Sequence, residues 1–442
     1  MKLTVFLLLA AFSFVCYFPA LSNGFVQDDI PAIVENASMQ SPANFVEIFS
    51  RNAWNSIPGF THVPNYRPLS AFSHSLTIYF FGLDPAVFHL INMLLHAAIG
   101  FLVFLISLKL FGSGLAAFFS AVFFLVHPLN SEVVCGAVNR EELLTALFYL
   151  AGFHLFLEFR DREKLPLPGL AVIALCFAAS LFSKENGVTF PLAVLAADIL
   201  SRAPVAALKK RIPLYAALFW MLAGYFLLRY FLFGTLTSHH IPYPQNPLLS
   251  ADATLVERIL TPFAVFFEMF RLFVSPLNLT VDYGLNAFPV VKSVSDARFM
   301  AGFLMIAASF AFAYALFKKK NPLLIPFVLI FVSFSIFSNT FFLGSIIFAE
   351  RLLYLPCAFL AIFAGEAARR ILQAAASPVI RRILSFVIIA VIALFSIFTF
   401  DRTKDWRDDY SLYSSSLASR PGSARLHSHL SKIMIERKDL SG

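Results

Sequence analysis

The chain has 442 residues, of which 59% are hydrophobic and only 14% charged, where a soluble domain carries about 25% charged residues. Its +8 net charge lies mainly in short loops between apolar segments, so it is not the footprint of a nucleic-acid binder. The four cysteines, Cys16, Cys135, Cys176 and Cys357, show neither metal-ligand spacing nor a disulfide framework.

Apolar runs recur from end to end at lengths near the roughly 20 residues that cross a hydrocarbon core. In lipid the backbone must satisfy its own hydrogen bonds, so these runs should be helices. The first, 3–21, lacks a small-x-small cleavage site and reads as an uncleaved first span. A large polar loop, 22–84, follows. Further spans are expected at 86–110, 115–126, 143–159, 167–182, 188–200 and 212–233. After a second large loop, 234–296, come spans at 299–317, 323–341, 346–364 and 383–400. The expectation is an all-α polytopic integral membrane protein with about eleven transmembrane helices.

Alternate loops are basic: Lys2; Lys109; Arg160, Arg162 and Lys164; Arg202, Lys209, Lys210 and Arg211; Lys318, Lys319 and Lys320; Arg369, Arg370, Arg381 and Arg382. They all fall on one side, which the positive-inside rule makes cytoplasmic. The N-terminus is then cytoplasmic, and the tail from Asp401 is periplasmic or extracellular. This holds if the apolar stretch 255–277 does not cross. Its Glu257, Arg258, Pro262, Glu268 and Arg271 favour an external, interfacial or re-entrant pair of amphipathic helices. The sequence thus divides into a membrane domain, 1–400, with external loops 22–84 and 234–296, and a polar helical tail, 401–442. In that tail, "RPGSARLHSHLSKIMIERKDLSG" looks like the first helix of a tetratricopeptide repeat. Such repeats are stable only when stacked, so this stretch either packs on the membrane domain or belongs to a longer array.

The chemistry must come from the polar residues left on the external side. "GFVQDDIPAIVEN" places Asp28 and Asp29 just beyond the first span. Neighbouring residues in an extended loop point to opposite sides, so one carboxylate can face a substrate while the other is buttressed. Desolvation near lipid raises a carboxyl pKa, which suits a general base. The structural alternative is an acidic cap for a helix starting near Pro31. Arg67, in "NYRPL", could grip phosphate with its planar fork or snorkel to headgroups. His89, Asn92 and His96 share one helix face. His89, near the external mouth, could touch a ligand, whereas the deeper His96 suits interhelical bonding. Three acid–base clusters lie at further external helix ends: Glu132, Asn139, Arg140, Glu141 and Glu142; Lys184, Glu185 and Asn186; Glu350, Arg351 and Tyr354. Each alone reads as a structural ion pair, but their convergence on one membrane face suggests a seat for a lipid-linked phosphate.

In order, "FVQDD", "NYRPL", "FHLINMLLHA", "HPLNSEVVCGAVNREELLTALF", "SKENGVT", "AERLLYLP" and "DWRDDYSLY…SARLHSHL" span essentially the whole chain. Together they resemble, in a bacterial-style version, the membrane domain of the tetratricopeptide-repeat transmembrane O-mannosyltransferases of the GT-C glycosyltransferase superfamily. The resemblance implies a GT-C fold and a polyprenyl-phosphate-linked sugar, mannose or another hexose, as donor. It implies transfer at the external face of the cell membrane to an acceptor hydroxyl, Ser or Thr of a protein. Asp28 and Asp29 would be the catalytic pair, with Asp28 ahead as base. Arg67, Arg140, Lys184 and Arg351 would supply the donor-phosphate ligands, and His89, Asn139, Glu141, Glu185 and Glu350 would line the pocket. Some GT-C enzymes use a divalent metal and others do not, and the acidic pair leaves that open. No nucleotide fingerprint is present. A lipid or glycan acceptor is the alternative within the fold. A transporter or flippase is the alternative outside it, disfavoured by the absence of a clear internal repeat and by charges gathered at one face instead of the midplane.

Overall fold

A computed structural model describes residues 2–50, 65–160, 166–234 and 245–437. Parts of both large loops, Arg162 and Lys164, and the last five residues of the tail lie outside the described residues. Among the described residues the chain is helical with no strands. It opens with α1 (Lys2–Tyr17), α2 (Phe45–Ser50), α3 (Pro68–Phe81), α4 (Pro85–Phe111), α5 (Gly114–Val126) and α6 (Ser131–Cys135). Then follow α7 (Arg140–Phe159), α8 (Leu167–Ser183), α9 (Phe190–Leu200), α10 (Val205–Lys210), α11 (Ile212–Phe233) and α12 (Leu255–Val274). The chain continues through α13 (Ala297–Lys318), α14 (Leu324–Phe334), α15 (Tyr354–Ala374), α16 (Pro378–Asp405), α17 (Asp409–Ser419) and α18 (Ala424–Glu436).

Local chemistry sets many of these boundaries. Asp84, Ser113, Asp296, Ser377, Asp408 and Ser423 each cap the following helix, the side-chain oxygen accepting an otherwise orphaned backbone N–H. Thr254 and Glu257 form a reciprocal capping box at α12. Gly112, at φ 65°, closes the turn between α4 and α5 in a conformation that an L side chain adopts only with strain.

Among the described residues, seven helical segments are long and apolar enough to cross a membrane: Lys2–Ser22, Pro85–Phe111, Arg140–Phe159, Ile212–Phe233, Ala297–Lys318, Glu350–Ala374 and Pro378–Asp405. Gly114–Val126 with Pro128–Cys135, bent by 52°, makes an eighth if it is one span. The remaining apolar stretches of the sequence form shorter helices, because polar segments interrupt them: Lys184 to Thr189 separates α8 from α9, and α14 ends in a 3-10 turn at Ser335–Phe337. The fold is therefore a multi-pass membrane bundle with fewer full-length spans than the eleven apolar runs. Residues 255–274 form one continuous helix in place of an expected pair, despite Pro262. Phe263 of this helix packs on Phe299 and Phe303 at the start of α13.

The core runs the length of the bundle, and α5 against α15 is one of its closest contacts. A Cβ on Gly365 would stand 2.2 Å from Ser120 Oγ and 2.6 Å from the Ala116 carbonyl, so only glycine lets these backbones approach. The sequence-derived boundary at residue 400 falls inside α16. Trp406, Leu412, Tyr413 and Leu426 of the tail join the same hydrophobic core as the spans, because the amphipathic tail helices bury their apolar stripe there.

The two ends of the bundle differ. At one end, basic residues bridge neighbouring loops. Arg211 pairs with Asp198 and reaches the Arg160 carbonyl, Arg202 donates to the Phe317 carbonyl (2.6 Å), and Arg370 donates to Asn321 (2.9 Å). The other end collects the loop after α1, the starts of α3, α4, α7 and α15, the end of α8 and the tail.

Candidate active site

The acidic loop is built as a tight turn. The Asp29 N–H donates to the Val26 carbonyl (3.0 Å), and Gln27 within the turn has φ 52°. A one-turn π-helix, Ile30–Val34, follows. The two carboxylates diverge. Asp29 is only 1% exposed. Its Oδ1 accepts the Val138 N–H (2.7 Å) and its Oδ2 the Val26 N–H (3.2 Å). Burial pushes its carboxyl up to about 7, against the pull of these backbone donors. Asp28 is half-buried and lies within electrostatic reach of Arg351 and of Asp409, Tyr413 and His429 from the tail. Both Asp29 oxygens thus serve backbone donors. Among the described residues no three His, Cys, Asp or Glu side chains cluster as metal ligands.

Beside this loop lies a buried network of three cations and three carboxylates. Arg67, at the N-terminus of α3, donates to Glu141 and through Nε and Nη2 to Glu185 (3.1 and 3.0 Å). Lys184 Nζ sits 2.7 Å from both Glu141 and Glu142, and Asn186 donates to Glu142 (2.7 Å). Arg229 reaches Glu185 (3.5 Å) and the Tyr225 hydroxyl (3.2 Å). Burial alone would raise the Glu185 carboxyl, but the Arg67 and Arg229 charges outweigh it and hold it below its ordinary value. Arg229 escaped the sequence reading. Its signal was present: a lone arginine inside the apolar run of α11, which needs a partner to be tolerated there.

Arg351 donates from its backbone N–H (2.8 Å) and its guanidinium to Glu132. The adjacent Glu350 turns the other way and accepts from the Thr280 N–H (2.6 Å) and the Tyr283 hydroxyl (2.9 Å). Thus Arg67 and Arg351, each about a fifth exposed at the side chain, stand at the open edge of the cluster with Asp28.

Other sequence candidates are placed differently. Arg140 is 1% exposed and turned into the protein, where Asn92 Oδ1 (3.1 Å), Thr77 Oγ1 (2.8 Å) and the Ser73 and Phe88 carbonyls hold it. Phe88 covers its face. It acts electrostatically on Asp29 and does not reach the open edge. Asn139 caps the Glu132 carbonyl (2.8 Å) beneath Gly136, so it shapes the loop. His89 is fully buried, with Nε2 3.4 Å from the Gly24 carbonyl. His96 bonds the Tyr354 hydroxyl (2.7 Å) and the Leu125 carbonyl (3.2 Å), an interhelical role. Asp409, Tyr413 and His429 were unassigned in the sequence. Their closeness to Asp28 arises from tail folding that no local pattern encodes.

No family model matches the chain. Protein O-mannosyl-transferase TMTC3 of Homo sapiens is 26% identical over 462 residues, covering 96% of this chain and 48% of that protein. Protein O-mannosyl-transferase TMTC4 of Mus musculus is 26% identical over 479 residues, covering 96% of this chain and 63% of that one. The chain thus spans about half the length of the first of these relatives and under two thirds of the second. Among solved structures, ArnT from Cupriavidus metallidurans bound to undecaprenyl phosphate superposes with a TM-score of 0.53 at 13% identity, covering 98% of this chain and 72% of that one. The Archaeoglobus fulgidus oligosaccharyltransferase in complex with Zn and sulfate gives 0.52 at 14%, covering 96% and 57%. At such identities the likeness is one of fold. The fold resembles that of the GT-C membrane glycosyltransferases. In sequence the chain is similar to protein O-mannosyl-transferases.

Proposed function

We propose that the chain is a membrane O-mannosyltransferase that moves mannose from a polyprenyl-phosphate donor to a protein Ser or Thr hydroxyl. The observation that carries this reading is the division of labour in the acidic pair: Asp29 is locked by two backbone donors, while Asp28 stays half-exposed beside Arg351. The lipid-linked donor is supported by the fold likeness to a protein crystallised with undecaprenyl phosphate. The protein acceptor is supported by the names of the sequence relatives.

In this mechanism Asp28 accepts the proton of the acceptor hydroxyl. That oxygen bonds to the anomeric carbon from the face opposite the leaving group. The bond from anomeric carbon to phosphate oxygen breaks with inversion, and polyprenyl phosphate departs with the electron pair. Negative charge grows on the phosphate, so preorganised cations there lower the barrier. Arg351 and Arg67 are the phosphate ligands. Lys184 acts behind them by holding Glu141, and Arg140 balances Asp29 from inside. The basic loops at the opposite end support an external position for the site, by the positive-inside rule.

The test is transfer by the purified chain in lipid nanodiscs, with polyprenyl-phosphate mannose and a Ser/Thr-containing peptide. Asp28→Asn keeps shape and removes basicity, and should lower turnover by about 10²–10⁴ with donor binding retained. Near-parental turnover by that variant sinks the assignment of the base.

A further inference from the structure

We infer that Asp409, on the tail, is a positioning residue for Asp28: its carboxylate holds Gln27 in the left-handed backbone conformation that presents the next residue to the cleft. The inference rests on the proposed role of Asp28 and extends it to a segment some 380 residues away in sequence.

Gln27 has φ 52°, a region that residues with a Cβ enter only against steric resistance. Such a conformation persists when its surroundings over-determine it, and three bonds from the chain at and beyond the end of α16 do so here. Asn23 Nδ2 donates to the Thr403 carbonyl (2.9 Å). The Gly24 N–H donates to the Arg407 carbonyl (3.0 Å). The Gln27 N–H donates to Asp409 Oδ1 (2.7 Å). On the other flank Val26 is buried and Asp29 is fixed to Val138. The turn 26–29 is thus anchored on both sides. Gln27 and Asp28 are its two central residues, and only Gln27 is held by a side chain from the tail.

A negative φ at Gln27 would swing the intervening peptide and turn the Asp28 carboxylate away from Arg351. Asp409 is well suited to prevent this. Its carboxylate is a stronger acceptor for an amide than a neutral oxygen, and the start of α17 does not depend on it. Asp408 is the cap there, accepting the Ser411 N–H (2.9 Å). Removing the Asp409 side chain therefore deletes the clamp and leaves the helix start. Tyr413 and His429, stacked at 5.0 Å, extend the same tail surface.

The test compares full-length variants in nanodiscs with polyprenyl-phosphate mannose and the peptide acceptor. Asp409→Ala should lower kcat by about ten- to a hundredfold, since misplacement on the ångström scale has that effect, and donor KM should stay within about twofold. Asp409→Asn, which keeps an oxygen for the Gln27 N–H, should stay within about threefold of parental turnover. Gln27→Gly in the Asp409→Ala background should recover most of the loss, because glycine enters positive φ freely. Amide hydrogen exchange over 24–29 should quicken in Asp409→Ala whatever the activity. Parental turnover by Asp409→Ala, failure of Gln27→Gly to recover it, or an Asn variant as poor as Ala overturns the proposal. Asp28→Asn, run in parallel, separates the readings. If it turns over normally, the catalytic reading falls, while the exchange data still report on the clamp.

Discussion

The two ends of the bundle use the same residue types for opposite purposes. At the basic end, Lys209, Lys210, Lys318, Lys319 and Lys320 point outward, where ammonium groups stay hydrated and individually contribute little to stability. At the acidic end, Lys184, Arg67, Arg140 and Arg351 are buried or nearly so and each is held by named partners. Charges desolvated in this way are costly unless fully bonded, and once bonded they are fixed in space. The basic end keeps its charges in water. The acidic end holds its charges in place, as the proposed chemistry requires.

That contrast can be broken by experiment. The largest effect is expected at Lys184. Lys184→Ala leaves the buried Glu142 with no cation and Glu141 with Arg67 alone, and the free energy of unfolding in detergent should fall by about 3–5 kcal/mol. A melting temperature equal to the parent would mean that the network is not cohesive. Next is Arg351→Ala, which should weaken binding of polyprenyl-phosphate mannose by roughly 1.5–3 kcal/mol, the range for a charge-assisted bond. Unchanged affinity by calorimetry would remove Arg351 from the phosphate site.

A smaller, pH-dependent effect follows from Asp29. Its folded pKa, about 7 through burial, lies above the ordinary value near 3.9. A raised carboxyl contributes stability below the unfolded pKa and loses it as pH rises through the folded one. The parental melting temperature, relative to that of Asp29→Asn, should therefore drop between about pH 4 and pH 7 and level off above. A constant difference across that window would show that Asp29 does not titrate there. The smallest effect belongs to the basic end: Lys319→Ala should change stability by less than about 0.5 kcal/mol and leave turnover alone. A tenfold loss of activity would erase the distinction between the ends.

Much of the bundle was legible in the sequence because lipid imposes one rule on every segment: apolar runs must become helices. What lipid does not dictate was not legible. The break between the runs 167–182 and 188–200 was visible, but the partners that Lys184 finds there, Glu141 and Glu142 of α7, were not. The acidic pair stood out in "FVQDD", yet which carboxylate turns inward is decided by the Val138 N–H, over a hundred residues away. Arg140 was visible as a cation at a helix start. Its inward turn depends on Asn92, Thr77 and the Phe88 ring closing around it. Asp409 was invisible for the same reason, since its partner is a backbone amide near the other end of the chain.

The contact at Gly365 restricts how the machine can move. With the α15 backbone seated against Ser120 and Ala116 of α5, α15 can neither slide nor roll without collision. Glu350 and Arg351 sit in the 3-10 turn that leads directly into this closely seated helix. The spans α11, α13 and α16 are only 17%, 11% and 11% buried within the protein, against 67% for α15, so most of their surface is left to lipid. The bundle thus grades from a close-packed interior around α15 to a lipid-facing rim, and the spacing of that interior is set by a single missing methyl group.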